Sequence, residues 1–317
     1  MRTERKRLRY YTGLLPMKEE QMAVPVRGRG WEARIERMSE RWRSEHSPDR
    51  DLEIVLYARN QQAAQAALDL IIASYDLLAG EPQFWGGDYI ALPEQADGLE
   101  SVGVSATKSA GYPRACRLAA KASTRQELSF GVALYRLSQK LHANLLMDLH
   151  PGEYPHRHRS PSSFDQARFA YAIVTAYAVV EQLDMGMEPK KQSFANKCWV
   201  PARRQELEQR LQKKGVDITE PLLWHLRGGK TKLEKHENRK TAIVRKAKWS
   251  SGRVRDCLVD VVDAVADVRF LRSYASAHKA SELTGLLSVY DVANAQRLAQ
   301  RFLLDRLRFS PVNCYTV

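Results

Sequence analysis

The strongest constraint on the fold is a run of apolar residues near the C-terminus that repeats at alternating steps of four and three. Its members are Val254, Leu258, Val261, Val265 and Val268. Because an α-helix has about 3.6 residues per turn, this spacing places all of them on one face. Ser250 or Ser251 would cap the first turn. The run therefore predicts one long amphipathic helix that packs by this face against other elements.

The same periodicity predicts helices in most of the remaining chain. We expect them at 61–79, at 113–150 as one helix or two joined near Ser123, and at 164–185, 202–214 and 290–309. Segment 31–45 could form a further short helix. Strands are expected at 51–59 and, more briefly, at 89–92 and 102–105. The predicted fold class is mainly α, with a C-terminal helical bundle preceded by an α-rich N-terminal region that contains a few short strands.

A proline-rich segment marks the expected domain boundary. Residues 152–163 read GEYPHRHRSPSS, with two prolines and alternating His and Arg, which is typical of an exposed linker. We therefore predict an N-terminal region at 1–155, with a sensing or regulatory role that would involve a protein partner, and a helical bundle at 156–317. Within the bundle, the apolar segment 169–185 is expected to be the central buried helix.

Charge and cysteine content narrow the function classes. The net charge of +13 on 317 residues favours a polyanionic partner, with nucleic acid before membrane. The richest apolar run, AALDLIIASYDLLA, is interrupted by Asp69 and Asp76 and is too short to span a bilayer. The four cysteines form no Cys-x-x-Cys pair, so a zinc knuckle or a disulfide framework is not indicated. We expect a cytoplasmic protein without a cofactor or metal.

Arg272 and His278 are the first candidate site residues. Arg272 falls on the next position of the predicted apolar face, where a permanent charge is costly unless it meets a carboxylate, a phosphate or a subunit interface. His278 would lie roughly 120° away on the same straight helix, so a bend or a second copy would be needed to bring the two together. Arg269 lies off this face and too far from His278.

These residue types suit the cleavage of RNA. Histidine titrates near neutrality and can take or give the proton, while the arginine fork binds phosphate oxygens. Glu181 is the next candidate, since it could orient His278 or pair with Arg272. The structural alternatives are that His278 caps a helix, that Arg272 pairs with an acid, and that the Glu181 pair merely holds the bundle together.

The Arg-Ser-x(4)-His arrangement at 272–278 resembles the Arg-x(4–6)-His motif of the HEPN superfamily of helical ribonucleases. FAYAIVTAYAVVEQLDM at 169–185 resembles an early helix of that fold, and LLSVYDVANAQRLAQRFLLDRL resembles its closing helix. The resemblance covers roughly residues 164–308. Ser273 stands where such families often have Asn, Asp or His.

The resemblance implies a metal-independent RNA endonuclease that forms 2′,3′-cyclic phosphate ends. It implies a homodimer through the C-terminal bundle, with Arg272, His278, Ser273 and Glu181 at the catalytic site. It also suggests a toxin or an effector of antiviral defence. The alternative, which Ser273 leaves open, is a non-catalytic HEPN-like module that binds RNA or a protein. A DNA-binding protein is a weaker third interpretation that rests on charge alone.

A second candidate surface is the most basic stretch of the chain, Arg227 to Lys248. Its candidate RNA-binding residues are Arg227, Lys230, Lys232, Arg245, Lys246 and Lys248. The tract RGGKTK within it is not a nucleotide-binding loop, because Trp224 stands where the motif needs glycine. A solvated loop is the alternative. The arginines around Trp31 and Trp42 are interpreted as a solvated face over a structural Trp, with a nucleic-acid contact as the alternative.

Overall fold

A computed structural model of the chain describes residues 6–11, 25–37, 52–80, 112–142, 162–187, 193–195, 198–227, 254–277 and 287–310. Over these residues the fold is mainly helical, with seven helices and short antiparallel strands, so the predicted fold class is confirmed. The chain forms two compact units. One comprises Met1–Ala133 with Ser310–Val317, and the other comprises Leu134–Phe309. The predicted boundary at 155/156 and the predicted strands at 89–92 and 102–105 lie outside the described residues.

The first unit contains a four-stranded antiparallel sheet in the order β1–β4–β3–β2. Its strands are β1 (Lys6–Tyr11), β2 (Val26–Gly28), β3 (Trp31–Arg37) and β4 (Leu52–Ala58). The predicted strand at 51–59 is thus confirmed, whereas the short helix predicted from residue 31 is wrong. The physical reason is the period of two in β3, which buries Trp31, Ala33 and Ile35 on one face of the sheet.

Two of the arginines near Trp31, Arg27 and Arg34, pair with the carboxylate of Glu32. Its carboxylate is buried, and it accepts hydrogen bonds from Arg34 Nη2 at 2.8 Å and from Arg27 Nε at 2.9 Å. The hydrogen bond from Arg34, aided by Arg27, holds the pKa of Glu32 below its usual value against the effect of burial. Arg34 also lies over the ring of Tyr57. These two arginines therefore compensate a buried acid, which agrees with the structural interpretation of this segment.

Two helices pack in the first unit, and a third begins there. Helix α1 (Gln61–Ala79) is capped by Asn60 and ends at Gly80, whose φ of 73° is left-handed. It packs against β4 and against α2 (Tyr112–Ala122). Helix α3 (Gln126–His142) starts after a break at Ser123, where the sequence predicted a joint, and its second half belongs to the other unit.

The second unit is built on three mutually packed helices, α4 (Ser163–Gln182), α6 (Val261–Ala277) and α7 (Val289–Leu307). Helix α5 (Pro201–Lys213) packs against α6. Helices α4 and α7 each begin with a capping box, Ser162 with Asp165 and Ser288 with Asp291. The described part of the unit also contains two two-stranded antiparallel sheets, β5 (Phe194–Ala195) with β6 (Cys198–Trp199), and β7 (Leu222–Arg227) with β8 (Val254–Val259).

The helix expected from residue 250 begins only at Val261, which corrects the prediction. Val254 and Leu258 lie on β8, paired with Arg227 and Leu223 of β7, and Leu258 is 59% exposed. Residues that alternate around a strand can match helical spacing by coincidence, and the antiparallel partner decides between the two. From Val261 to Val268 every residue of α6 is buried, so this half of α6 is as central as α4. No described helix has the length and apolarity that crossing a membrane requires.

Strand β7 is attached to α7 through one fully buried amide. Asn294 accepts the backbone N–H of His225 at 2.9 Å and donates to the backbone carbonyl of His225 at 2.8 Å. Removing this side chain leaves both backbone groups without their partner, which costs about 2 kcal/mol. We expect Asn294→Ala to lower the free energy of unfolding by that amount in urea denaturation. Gln205→Ala on the exposed face of α5 is the control, and an equal midpoint for both variants would contradict the prediction.

Candidate functional site

Arg272 of α6 and Glu181 of α4 meet on the surface of the second unit. Nη2 of Arg272 lies 3.5 Å from Oε1 of Glu181, and their side chains are 38% and 50% exposed. Pairing with Arg272 was one of the two roles expected for Glu181. An exposed pair of this kind contributes about 0–1 kcal/mol to stability, so it does little to hold the bundle together.

Arg272 lies beside the apolar face of α6 rather than on it. Leu271 and Ala275 are buried and continue that face, while Arg272 is half-exposed. Every residue from Val261 to Val268 is buried, so the apolar spacing there does not decide which residue of the next turn faces the core, and the expected position was wrong by one residue. The guanidinium is therefore held at the rim of the helix packing, where a ligand can reach it.

Tyr177 lies beneath this pair. It is buried one turn before Glu181 on α4, and burial raises the pKa of its hydroxyl to about 12, although nearby Arg269 and Arg272 oppose the rise. Gly186 lies next to this hydroxyl, since a Cβ atom at Gly186 would be 3.1 Å from it. Tyr177 thus stays neutral at physiological pH and forms an uncharged floor next to two arginines.

The geometry leaves donors of Arg272 available for a ligand. Its contact to Glu181 at 3.5 Å is longer than the distance of about 2.7–2.9 Å that is usual for a charge-assisted hydrogen bond. Arg269, set aside at the sequence level, contributes to the same positive field because it acts on the Tyr177 hydroxyl. The described part of the site is therefore an anion-accepting surface with one carboxylate at its edge.

Sequence reasoning missed Tyr177 and Arg269 as members of this site. The sequence placed Tyr177 only within the apolar segment 169–185. A usable signal was its position one turn before Glu181, since residues four apart share a helix face. Arg269 likewise lies three residues before Arg272 on α6.

The remaining predicted site residues fall as follows. Ser273 is exposed on α6, next to Arg272. His278 lies outside the described residues and directly follows the last residue of α6, Ala277. Arg227 ends β7, but its side chain is not among those described. Lys230, Lys232, Arg245, Lys246 and Lys248 lie outside the described residues.

His225 is a described histidine with a structural role. Its Nε2 lies 3.0 Å from Nη2 of Arg297, and its ring meets that of Tyr290 edge to face. Because arginine can only donate, the ring nitrogen of His225 accepts this hydrogen bond. Its backbone is also bound by Asn294, so we assign His225 to the attachment of β7.

The described residues contain no group of three or more His, Cys, Asp or Glu side chains that could hold a metal ion. The candidate site among the described residues is the surface of α4 and α6 that carries Arg272. Comparison of the chain with protein-family models, with curated proteins and with solved structures gives no match.

Proposed function

We propose that the chain is a metal-independent RNA endonuclease of the HEPN type. The observation that carries the proposal is that the guanidinium of Arg272 is half-exposed and keeps donors available for a ligand. Arg272 lies near the end of α6, and the last residue of this helix, Ala277, directly precedes the motif histidine, His278. The net charge of +13 supports a polyanionic substrate. Glu181 lies 3.5 Å from Arg272, and Ser273 follows Arg272 on α6.

In the proposed reaction, the 2′-hydroxyl of the RNA loses its proton and attacks the adjacent phosphorus. The bond from phosphorus to the 5′-oxygen breaks, and the leaving oxygen takes up a proton. The products carry a 2′,3′-cyclic phosphate and a 5′-hydroxyl. Arg272 would stabilise the charge on the phosphate oxygens, and His278 would transfer a proton. Glu181 would limit the orientations of the guanidinium.

A homodimer through the second unit is part of the proposal. The reaction needs a base for the 2′-hydroxyl and an acid for the 5′-oxygen, and the motif offers one histidine in each chain. Two copies that share a cleft would supply both groups. A cytoplasmic toxin or antiviral effector, restrained by a regulatory protein partner through residues 1–155, is the cellular role that the resemblance to HEPN ribonucleases suggests.

The test is an RNA cleavage assay in EDTA with wild type, His278→Ala and Arg272→Ala. We expect wild type to cut RNA but not a strand with 2′-deoxy sugars, and each variant to cut at least about 100-fold more slowly. Lys213→Gln, an exposed charge change on α5, is the control and should cut like wild type. Undiminished cutting by His278→Ala would show that the site is wrongly assigned.

A non-catalytic RNA- or protein-binding module is the second candidate. The observation that favours it is exposed Ser273, in place of the larger polar residue that such families often have. Binding of RNA without cleavage, weakened by Arg272→Ala, would support the module. Binding is measured by fluorescence anisotropy with the same labelled RNA.

A further inference from the structure

A cleft that is open to solvent runs along one face of α5. Helix α5 contributes every third or fourth residue to its wall, and the opposite wall comes from the segments before the helix. The lining residues are Met187, Ser193, Trp199, Arg203, Glu206, Leu207 and Arg210. The cleft thus combines an aromatic ring, two guanidinium groups and one carboxylate, none of which belongs to the Arg272 surface.

The indole of Trp199 is held in one orientation. Its Nε1 donates to Oδ1 of Asp263 at 2.7 Å, and Asp263 is buried on α6. Phe194 packs against the indole with ring centroids 4.4 Å apart, and Phe194 is not part of the cleft wall. Arg204 fixes Asp263 in turn, with Nη1 3.3 Å from the same Oδ1. The N–H of Trp199 is already satisfied, so what this side chain offers a ligand is an aromatic surface.

The two arginines differ in what they can offer. Nη1 of Arg203 donates to both carboxylate oxygens of Glu206, at 2.6 and 2.8 Å, which leaves its Nε and Nη2 as donors for a ligand. Nη2 of Arg210 donates to the backbone carbonyl of Gly186 at 2.6 Å, which positions it within the cleft. Two cations against one carboxylate make the cleft favourable for an anion.

The cleft adjoins the Arg272 surface through a two-residue segment. The carbonyl of Gly186 accepts the hydrogen bond from Arg210, and a Cβ atom at Gly186 would lie 3.1 Å from the hydroxyl of Tyr177. Gly186–Met187 therefore contacts the cleft through Arg210 and the floor of the Arg272 surface through Tyr177. A ligand chain that crosses this segment would contact both places.

We propose that this cleft is a nucleotide subsite for single-stranded RNA, in which a base stacks on Trp199 and a neighbouring phosphate binds Arg203. The proposal rests on the nuclease function proposed above and specifies its substrate class. Aromatic side chains in basic clefts bind unpaired bases by stacking, whereas the bases of a duplex are already stacked and cannot reach them.

The test measures binding of a fluorescent single-stranded RNA with 2′-O-methyl sugars, which the proposed reaction cannot cleave. Anisotropy titrations over a range of salt concentrations give both the affinity and its salt dependence. We expect Trp199→Ala to weaken binding about tenfold or more at every salt concentration, with an unchanged slope. Trp199→Phe should retain most of the affinity, because the ring can still stack.

Arg203→Gln should act differently, because it removes a phosphate contact. We expect the slope of log affinity against log salt to fall by about 0.7 in magnitude. Lys213→Gln on the same helix changes the charge equally but does not line the cleft, so its slope should match wild type. Thermal unfolding checks that each variant is folded. Because the side chain of Arg203 is partly exposed, we expect Arg203→Gln to fold like wild type.

The outcomes separate the subsite from the nuclease. If wild type cleaves RNA but Trp199→Ala and Arg203→Gln bind like wild type, the subsite is wrong and the nuclease stands. If binding depends on Trp199 and wild type cuts no RNA, the subsite stands and the nuclease is wrong. If wild type binds no RNA, or binds a duplex of the same sequence equally well, the subsite proposal is overturned.

Discussion

Substituting Gly28 by alanine should lower the free energy of unfolding of the first unit by about 3 kcal/mol, as expected for severe overpacking. A Cβ atom at this position would lie 2.1 Å from Cε2 of Trp31, well inside van der Waals contact. The Trp31 ring is rigid and only 5% exposed, so it cannot swing away without opening the face of β3 that packs against the rest of the unit. The loss should appear in chemical denaturation followed by circular dichroism.

Gly30→Ala is the matched control for this substitution. Gly30 has a φ of 82°, and a Cβ atom there would meet nothing within 4 Å. Alanine at this position therefore destabilises the unit only through the strain of the left-handed backbone. That strain costs about 1–2 kcal/mol. If Gly28→Ala were no more destabilising than Gly30→Ala, the close packing of Trp31 on β2 would be wrong.

Acid should destabilise the second unit through His142. This residue is 5% exposed at the end of α3, and its Nε2 has no hydrogen-bond partner among the described residues. Burial lowers the pKa of His142 from 6.5 to about 4, and the charge of Arg168 lowers it further, while a hydrogen bond with Gln296 opposes both. The folded chain therefore holds His142 neutral at pH values where the unfolded chain already binds the proton.

The sign of the effect follows from this difference in proton binding. As pH falls through 6.5 toward about 4, the unfolded state gains a proton that the folded state does not, so stability decreases. The full shift corresponds to about 3 kcal/mol, lost between those two pH values. Above pH 7 the contribution of this histidine does not change.

Comparison of wild type with His142→Gln isolates this contribution. Carboxylates with lowered pKa values, such as Glu32, also lose stabilisation in acid, so the wild-type curve alone is not diagnostic. Free energies of unfolding from urea titrations at several pH values should fall more steeply for wild type than for His142→Gln. Parallel curves would show that His142 is not buried in its neutral form.

The helices could be predicted from sequence where local chemistry sets their ends. Asn60 caps α1 and Gly80 ends it, and Ser162 and Ser288 begin α4 and α7 with capping boxes. In each case the residues that satisfy the terminal N–H groups lie within a few positions of the helix. Such signals need no tertiary contact, which is why the expected ends were close to the observed ones.

Strands that pair with distant parts of the chain could not be predicted in the same way. Val254 and Leu258 match a helical repeat, but they pair with Arg227 and Leu223 of β7, which lie 27 and 35 positions earlier. That pairing supplies backbone hydrogen bonds which no local pattern encodes. The same holds for β3. The segment around Trp31 was expected to be helical, and its pairing with β4 makes it a strand.

By itself, the sequence determined which residue types were candidates for chemistry: an arginine late in an apolar helix, an acid on a neighbouring helix and a histidine after them. Only the tertiary structure decided which of the described candidates meet. Glu181 and Arg272 come together because α4 packs on α6, and Trp199 lines one cleft with Arg203 while Asp263 of α6 accepts the hydrogen bond of its indole. These contacts depend on how each packed helix is rotated about its axis and on the distance between helices. A repeat of apolar residues predicts the rotation only to within about one residue.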